Sequence, residues 1–285
     1  MQLFPPFVIR LCYHQLSMLI RLGYDIEFSV AQPVAMVAML SVHPSREQDL
    51  REPDELHVEP FVKIERYLDR FQNRCSRFLA PSGKVRLWNS TLIEDSGFED
   101  PIKFDAYQQA VEDLPAENLV YLINSRYCEV DRLSNVATDL FGYTQPGWGR
   151  VRAIIDWIYS KIEFGYQYAR ATKTALEVYT ERTGVCRDFQ HLAITFCRCM
   201  NIPARYATGY LGDIGVPFSP TPMDFSAWFE VYLDGRWWTM DARHNHPRIG
   251  RVLMATGRDA ADVAITTSFG RADLIKFSVV TNLVT

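Results

Sequence analysis

The stretch Thr183-Gly-Val-Cys-Arg-Asp-Phe189 decides how the rest of the chain is read. A glycine turn runs into a cysteine, and an amphipathic helix begins at once. Phe189, Leu192, Ala193, Phe196, Cys197 and Met200 follow the three-four spacing of one apolar helical stripe. Asn201 and Pro203 predict its end. The first amides of a helix have no intrahelical acceptor and carry a partial positive charge, which favours thiolate over thiol. Cysteines so placed reach pKa values of roughly 3.5–7.5 against about 8.5 for a free thiol. Cys186 is therefore the candidate nucleophile.

Upstream, the apolar positions 148, 151, 154, 155, 158 and 162 predict an amphipathic helix. A loop over 163–174 carries Tyr166 and Tyr168, and a short helix precedes Gly184. Downstream, Ala204–Leu211 reads as a strand, and a proline-stiffened loop, 212–224, is expected to lie over the site. Ala227-Trp-Phe-Glu-Val-Tyr-Leu233 and Arg236-Trp-Trp-Thr-Met-Asp241 then flank Asp234-Gly235, a two-residue hairpin signal. With Leu233 facing Arg236, the register puts Trp228 opposite Asp241. Positions 226 and 241 then project from one face as diagonal neighbours.

Residues 18–95 read as short strands. Tyr24–Val30 alternates at period two, Val34–Val42 is more uniformly apolar, and Val62–Leu68, Arg74–Leu79 and Lys84–Ile93 continue the pattern. This spacing predicts a small antiparallel sandwich. The acidic, proline-containing stretch 94–117 reads as the connection between domains. The expected organisation is an N-terminal extension over 1–17, a β-rich domain with linker over 18–117, and a catalytic-type core over 118–285, with Val263–Thr267 and Leu274–Val280 as late strands of that core. The extension lacks a charged n-region and a small-residue cleavage site, which makes it a poor signal peptide. Met18 is the expected natural start and the cytoplasm the expected location.

A net charge of −4 without a Lys/Arg block argues against nucleic acid or an acidic membrane surface as partner. The longest apolar run, Val34–Leu40, falls far short of the roughly 20 residues of a membrane helix. Cys12, Cys75, Cys128, Cys186, Cys197 and Cys199 show no disulfide or zinc spacing. No acidic loop of calcium-binding type is visible, so neither cofactor nor metal is expected.

Thr183-Gly-Val-Cys-Arg-Asp-Phe, Ile202-Pro-Ala-Arg-Tyr, Ala227-Trp-Phe-Glu-Val and Trp238-Thr-Met-Asp241, in this order and spacing, resemble the core of the transglutaminase-like cysteine enzyme superfamily. The strand-rich front resembles the N-terminal region of its bacterial members. The resemblance implies an α+β fold, with a helix bearing the cysteine packed on an antiparallel sheet behind a small β-sandwich-like domain. It makes Cys186 the nucleophile and Asp241 the orienting carboxylate. The family's histidine immediately precedes the Ala-Trp pair; here that position is Ser226.

Among the remaining histidines, His191 lies about 140° around the helix from Cys186 and points away from it. His244 is the best substitute, but it falls on the opposite face from Asp241 unless a bulge intervenes, and a structural or rim role is the more ordinary reading. The Cys186 backbone amide is the expected oxyanion donor, with Tyr166 or Tyr168 as a second. The implied activity is attack on a peptide or protein amide through a Cys thioester, ending in hydrolysis or acyl transfer and impaired by Ser226. The alternative is an inactive binding pseudoenzyme, or a deliberately inactivated variant, of the same fold.

Overall fold

A computed structural model of the chain describes residues 17–220 and 222–284. The expected extension, Cys12 included, lies outside the described residues except for Ser17. The period-two patterns become β1 (Met18–Val30), β2 (Val34–Ala38), β3 (His57–Glu59), β4 (Glu65–Leu68), β5 (Arg74–Ala80) and β6 (Gly83–Asp95). β1 and β6 pair antiparallel along their whole length, from Met18 opposite Asp95 to Val30 opposite Gly83. Ile20, Leu22, Ile26, Val85 and Leu87 point to one buried face, as period-two alternation requires.

The second half opens with α1 (Val130–Phe141) and α2 (Trp148–Lys161), followed by β7 (Glu163–Phe164), α3 (Ala175–Glu181), β8 (Thr183–Gly184) and α4 (Cys186–Cys199). The sequence left α1 within a mixed segment, although Leu133, Ala137 and Phe141 form its buried stripe. Helix α4 packs against α1, α2 and α3 on one side and a sheet on the other. As a result its residues 188–198 are buried on every face. Each fully buried Leu, Ile or Phe side chain here stabilises the fold by about 1.5–3 kcal/mol.

That sheet contains β9 (Ala204–Tyr210), β10 (Ser226–Leu233), β11 (Arg236–Met240) and β12 (Val252–Gly257), in the order β11-β10-β9-β12. Asp234 and Gly235 both have positive φ, 51° and 78°, as a type I′ hairpin turn demands. The register is the one read from the sequence, with Leu233 opposite Arg236 and Phe229 opposite Met240. Strand β12 falls in what the sequence presents as a charged loop.

Two further strands complete the chain, β13 (Thr266–Ser268) and β14 (Ala272–Val284). They do not join the sheet behind α4. β14 pairs antiparallel with β1, and β13 pairs with β2. The β-rich unit is thus two four-stranded sheets, β14-β1-β6-β3 and β13-β2-β5-β4, around a common core. The expected division at residues 117 and 118 does not follow sheet membership. Alternation marks a strand but does not say which edge it will join, and the last described strand returns to the first. Tyr210, Phe225, Val252 and Met254 extend the sandwich core under β9 and β12, so the two units share apolar packing.

Candidate active site

Cys186 is the first residue of α4, held where β8 pairs with β7 in parallel. The Asp188 carboxylate turns back to accept the Val185 backbone N–H at 3.0 Å, capping the helix. A Cβ on residue 184 would sit 2.8 Å from the Asp188 Cβ, so the glycine provides room for the cap. Arg187 lies along Asp188 and donates to the Arg170 carbonyl at 2.7 Å, tying the turn to the preceding loop.

The thiol does not have the depressed pKa expected of a helix start. Burial pushes it up to about 11, and the Asp224 carboxylate adds to the rise. The Arg243 guanidinium and a hydrogen bond from the Arg187 backbone pull the other way without prevailing. Desolvating a thiolate costs more here than the helix terminus returns.

Asp241 follows the last paired residue of β11 and does not continue the strand. Its Oδ1 accepts the backbone N–H of Arg243 at 2.9 Å and of His244 at 3.0 Å, while its carbonyl accepts the Asn245 N–H at 3.0 Å. This side-chain-capped turn, followed by Asn245 at φ 58°, brings His244 back over the aspartate. His244 Nδ1 lies 2.8 Å from Asp241 Oδ2. The expectation that His244 faces away from Asp241 is overturned, because the alternation of a strand no longer applies once the strand has ended.

The carboxylate is secured from two further directions. Gln190, four residues after Cys186 on α4, donates to Asp241 Oδ1 at 3.1 Å and to the Ala227 carbonyl at 3.2 Å. Its own oxygen accepts the Ala242 N–H at 3.1 Å. Arg251 donates to Asp241 at 2.8 Å and to Asp100 at 2.8 Å. Burial by itself would raise the Asp241 pKa, but Arg251 and the hydrogen bonds from His244 hold it well below the usual carboxylate range. His244 is pushed below its ordinary value, chiefly by burial, with Asp241 opposing. A neutral imidazole donating through Nδ1 leaves Nε2 as acceptor, and the Arg243 guanidinium occupies that nitrogen while stacking 4.1 Å over the Phe164 ring.

Cys186, Ser226, Arg243 and His244 line one cleft of about 450 Å³. Ser226 is the first residue of β10 and sits at its wall, as the sequence register requires. Asp241 is buried behind the cleft and reaches it through His244. The proline-rich loop forms the opposite wall with Asp213, Pro217, Pro222, Met223 and Asp224. Tyr166 lines the cleft, whereas the Tyr168 hydroxyl is turned to Glu163 at 2.9 Å. His191 is buried elsewhere, stacked on Tyr127 at 4.9 Å and accepting the Ala260 N–H. Gln190 and Arg251 carried no sequence signal. Gln190 is four residues past Cys186 on the same helix, a spacing that places both on one side.

Among the described residues, no helix is long and apolar enough to cross a membrane. Residues 134–242 match the family model of the transglutaminase-like superfamily. The solved structure of a candidate cysteine protease from Cytophaga hutchinsonii is similar at 31% identity and a TM-score of 0.81, covering 94% of this chain and 91% of that one. An uncharacterised protein of Mycobacterium leprae (strain TN) is 24% identical over 212 residues, 72% of this chain and 75% of that relative. With α4 carrying the cysteine over an antiparallel sheet, and with this likeness along nearly the whole chain, the protein belongs to the transglutaminase-like superfamily.

Proposed function

We propose that the chain is a thiol enzyme acting on amide bonds, with Cys186 as nucleophile, His244 as the base and Asp241 as the group that orients it. The observation that carries this reading is the 2.8 Å contact from His244 Nδ1 to Asp241 Oδ2, with His244 in the same cleft as Cys186. His244 then does from the turn after β11 what the family's histidine does from the position held here by Ser226.

In this reading Arg243 swings off Nε2 when substrate enters, and His244 takes the Cys186 proton as sulfur attacks the amide carbonyl carbon. The oxyanion meets the backbone amide at the start of α4. The C–N bond breaks as the imidazolium returns its proton to the leaving amine, leaving a thioester. Water or a second amine then attacks that thioester. Because the resting thiol is neutral, proton removal accompanies attack and is not complete beforehand. The likeness to a candidate cysteine protease supports a peptide or protein amide as substrate.

A second reading, a binding protein with catalysis lost, draws support from the half-buried, high-pKa thiol and from Arg243 on the base nitrogen. Turnover on a panel of peptide and glutamine-amide substrates separates the two. The enzyme reading expects activity that Cys186→Ala abolishes, that His244→Ala lowers by about 10²–10⁴-fold, and that Ser226→Ala leaves largely intact. Ser226→His should restore part of what His244→Ala loses. A parent protein that is inactive until Ser226→His is introduced would establish the binding reading.

A further inference from the structure

Three of the buried arginines of the second half are treated differently by their surroundings. Arg198 distributes its guanidinium over the carbonyls of Ile123, Ala204 and Arg258 and the Ser125 hydroxyl. Arg251 is matched by the carboxylates of Asp100 and Asp241. Arg248 is only 6% exposed, yet its guanidinium makes one hydrogen bond, from Nη2 to the Gly212 carbonyl at 2.9 Å. Its Nε is buried without a partner, and among the described residues no carboxylate lies within ion-pairing distance of it.

A buried guanidinium left this way is costly, because its desolvation is not offset by a counter-charge. Burial indeed depresses the Arg248 pKa, with Arg251 and Arg243 adding to the effect and Asp241 and Asp213 opposing it. The backbone at Arg248 is independently fixed, its N–H on Asp100 Oδ2 at 2.9 Å and its carbonyl accepting the Asp100 N–H. The side chain is therefore not needed to hold the loop.

Arg248 lines the cleft that contains Cys186. Arg243 lines it too, and among the described residues Arg243 likewise has no carboxylate partner, only Phe164 and His244. Two guanidinium groups without counter-ions thus face the space in which the scissile amide would lie. Arginine is the side chain best shaped to receive a planar carboxylate through paired N–H donors. Asp213 and Asp224 share the same walls, so the cleft tolerates a monoanion better than a phosphate dianion.

Building on the thiol-enzyme reading, we propose that Arg248, with Arg243, binds a carboxylate of the substrate, and that the preferred substrates are amides bearing a free carboxylate close to the scissile bond. The carboxylate draws Arg243 off His244 Nε2 as it binds, so that recognition also frees the base.

Binding measurements in the full-length Cys186→Ala protein test this without relying on turnover. The probes are N-acetyl-alanyl-glycine and its C-terminal carboxamide, followed by calorimetry. The acid should bind at least about tenfold more tightly than the amide. Arg248→Gln should abolish that preference, and Arg248→Lys should keep part of it. Removing an unpaired buried charge should leave the melting temperature of Arg248→Met equal to or above that of the parent. Equal affinity for acid and amide, no binding of either at millimolar concentration, or an Arg248→Gln protein that still prefers the acid would each overturn the assignment. A lower melting temperature in Arg248→Met would instead make Arg248 a clamp on Gly212. An inactive parent that nevertheless prefers the acid would sink the enzyme reading and leave carboxylate recognition standing.

Discussion

The two sides of Asp241 differ in how completely their polar groups are matched. Behind it, Gln190, Arg251, Asp100 and the amides of residues 243 and 244 interlock around the carboxylate, and Arg251 Nη1 is the one guanidinium nitrogen there without a hydrogen bond among the described residues. In front of it, His244 accepts from Arg243, Cys186 is a neutral thiol, and Arg248 lacks a counter-ion. The back is determined several times over, so it fixes geometry. The front is under-matched, so its groups can exchange partners when a substrate arrives. A site that must position a base and also release it requires both conditions.

The largest effect should come from opening the closed side. Arg251→Met leaves the buried Asp241 and the half-buried Asp100 without their shared cation, and removing one partner of a buried pair costs about 3–5 kcal/mol. Urea denaturation followed by tryptophan fluorescence should show the midpoint fall accordingly. A loss comparable to that of a surface substitution would mean that the network behind Asp241 is not what holds the turn.

On the open side, the thiol should behave as its burial dictates. With a pKa near 11, Cys186 should react with iodoacetamide at pH 7 about 10- to 100-fold more slowly than a free thiol, after allowing for the greater nucleophilicity of a more basic thiolate. The rate should keep climbing toward pH 11, where a free thiol has long since levelled off. A plateau below pH 8 would restore the helix-start expectation for the resting protein.

That reversal illustrates which parts of the molecule were legible in the sequence. Helix α4, its cysteine and the β10–β11 hairpin were readable because their signals are local: apolar spacing, a glycine turn, an Asp-Gly pair. The position of Ser226 followed from the hairpin register. His244 was not readable as a partner of Asp241, because the strand gives way to a side-chain-capped turn at the residue where alternation was being extrapolated. The thiol pKa depends on burial within the assembled fold and on Asp224, which a loop distant from Cys186 in the chain supplies. The return of β14 to β1 is set by which sheet edge remains open, a property of the assembled fold.

Gln190 joins the two sides, since it stands on the helix of Cys186 and grips Asp241 and its turn. Gln190→Leu leaves the Ala242 N–H and the Ala227 carbonyl without their side-chain partner in a buried place. The expected loss is about 1–3 kcal/mol in denaturation, smaller than for Arg251→Met because no buried charge loses its only counter-ion. The same variant should weaken the His244 contact, and its turnover should fall by more than its stability explains. Unchanged turnover per folded molecule would limit Gln190 to packing.

The smallest effect should come from the charge on the open side. Arg243 lowers the pKa of both His244 and Cys186. Arg243→Gln should therefore raise both, slowing alkylation of Cys186 at pH 9 a few-fold and moving the His244 ring titration, followed by NMR, toward its ordinary value. The consequence for stability has a definite sign. In the parent protein the folded-state pKa of His244 lies below the ordinary imidazole value of about 6.5, so between those two values the unfolded chain binds the proton more readily. Stability from this group is then full above about pH 6.5 and is lost as pH falls toward the folded-state pKa. Replacing Arg243 narrows that window and should flatten the decline in melting temperature between neutral and mildly acidic pH. If Arg243→Gln left both titrations and that decline unchanged, the guanidinium would not be in electrical contact with the base, and the open side would have to be redrawn without it.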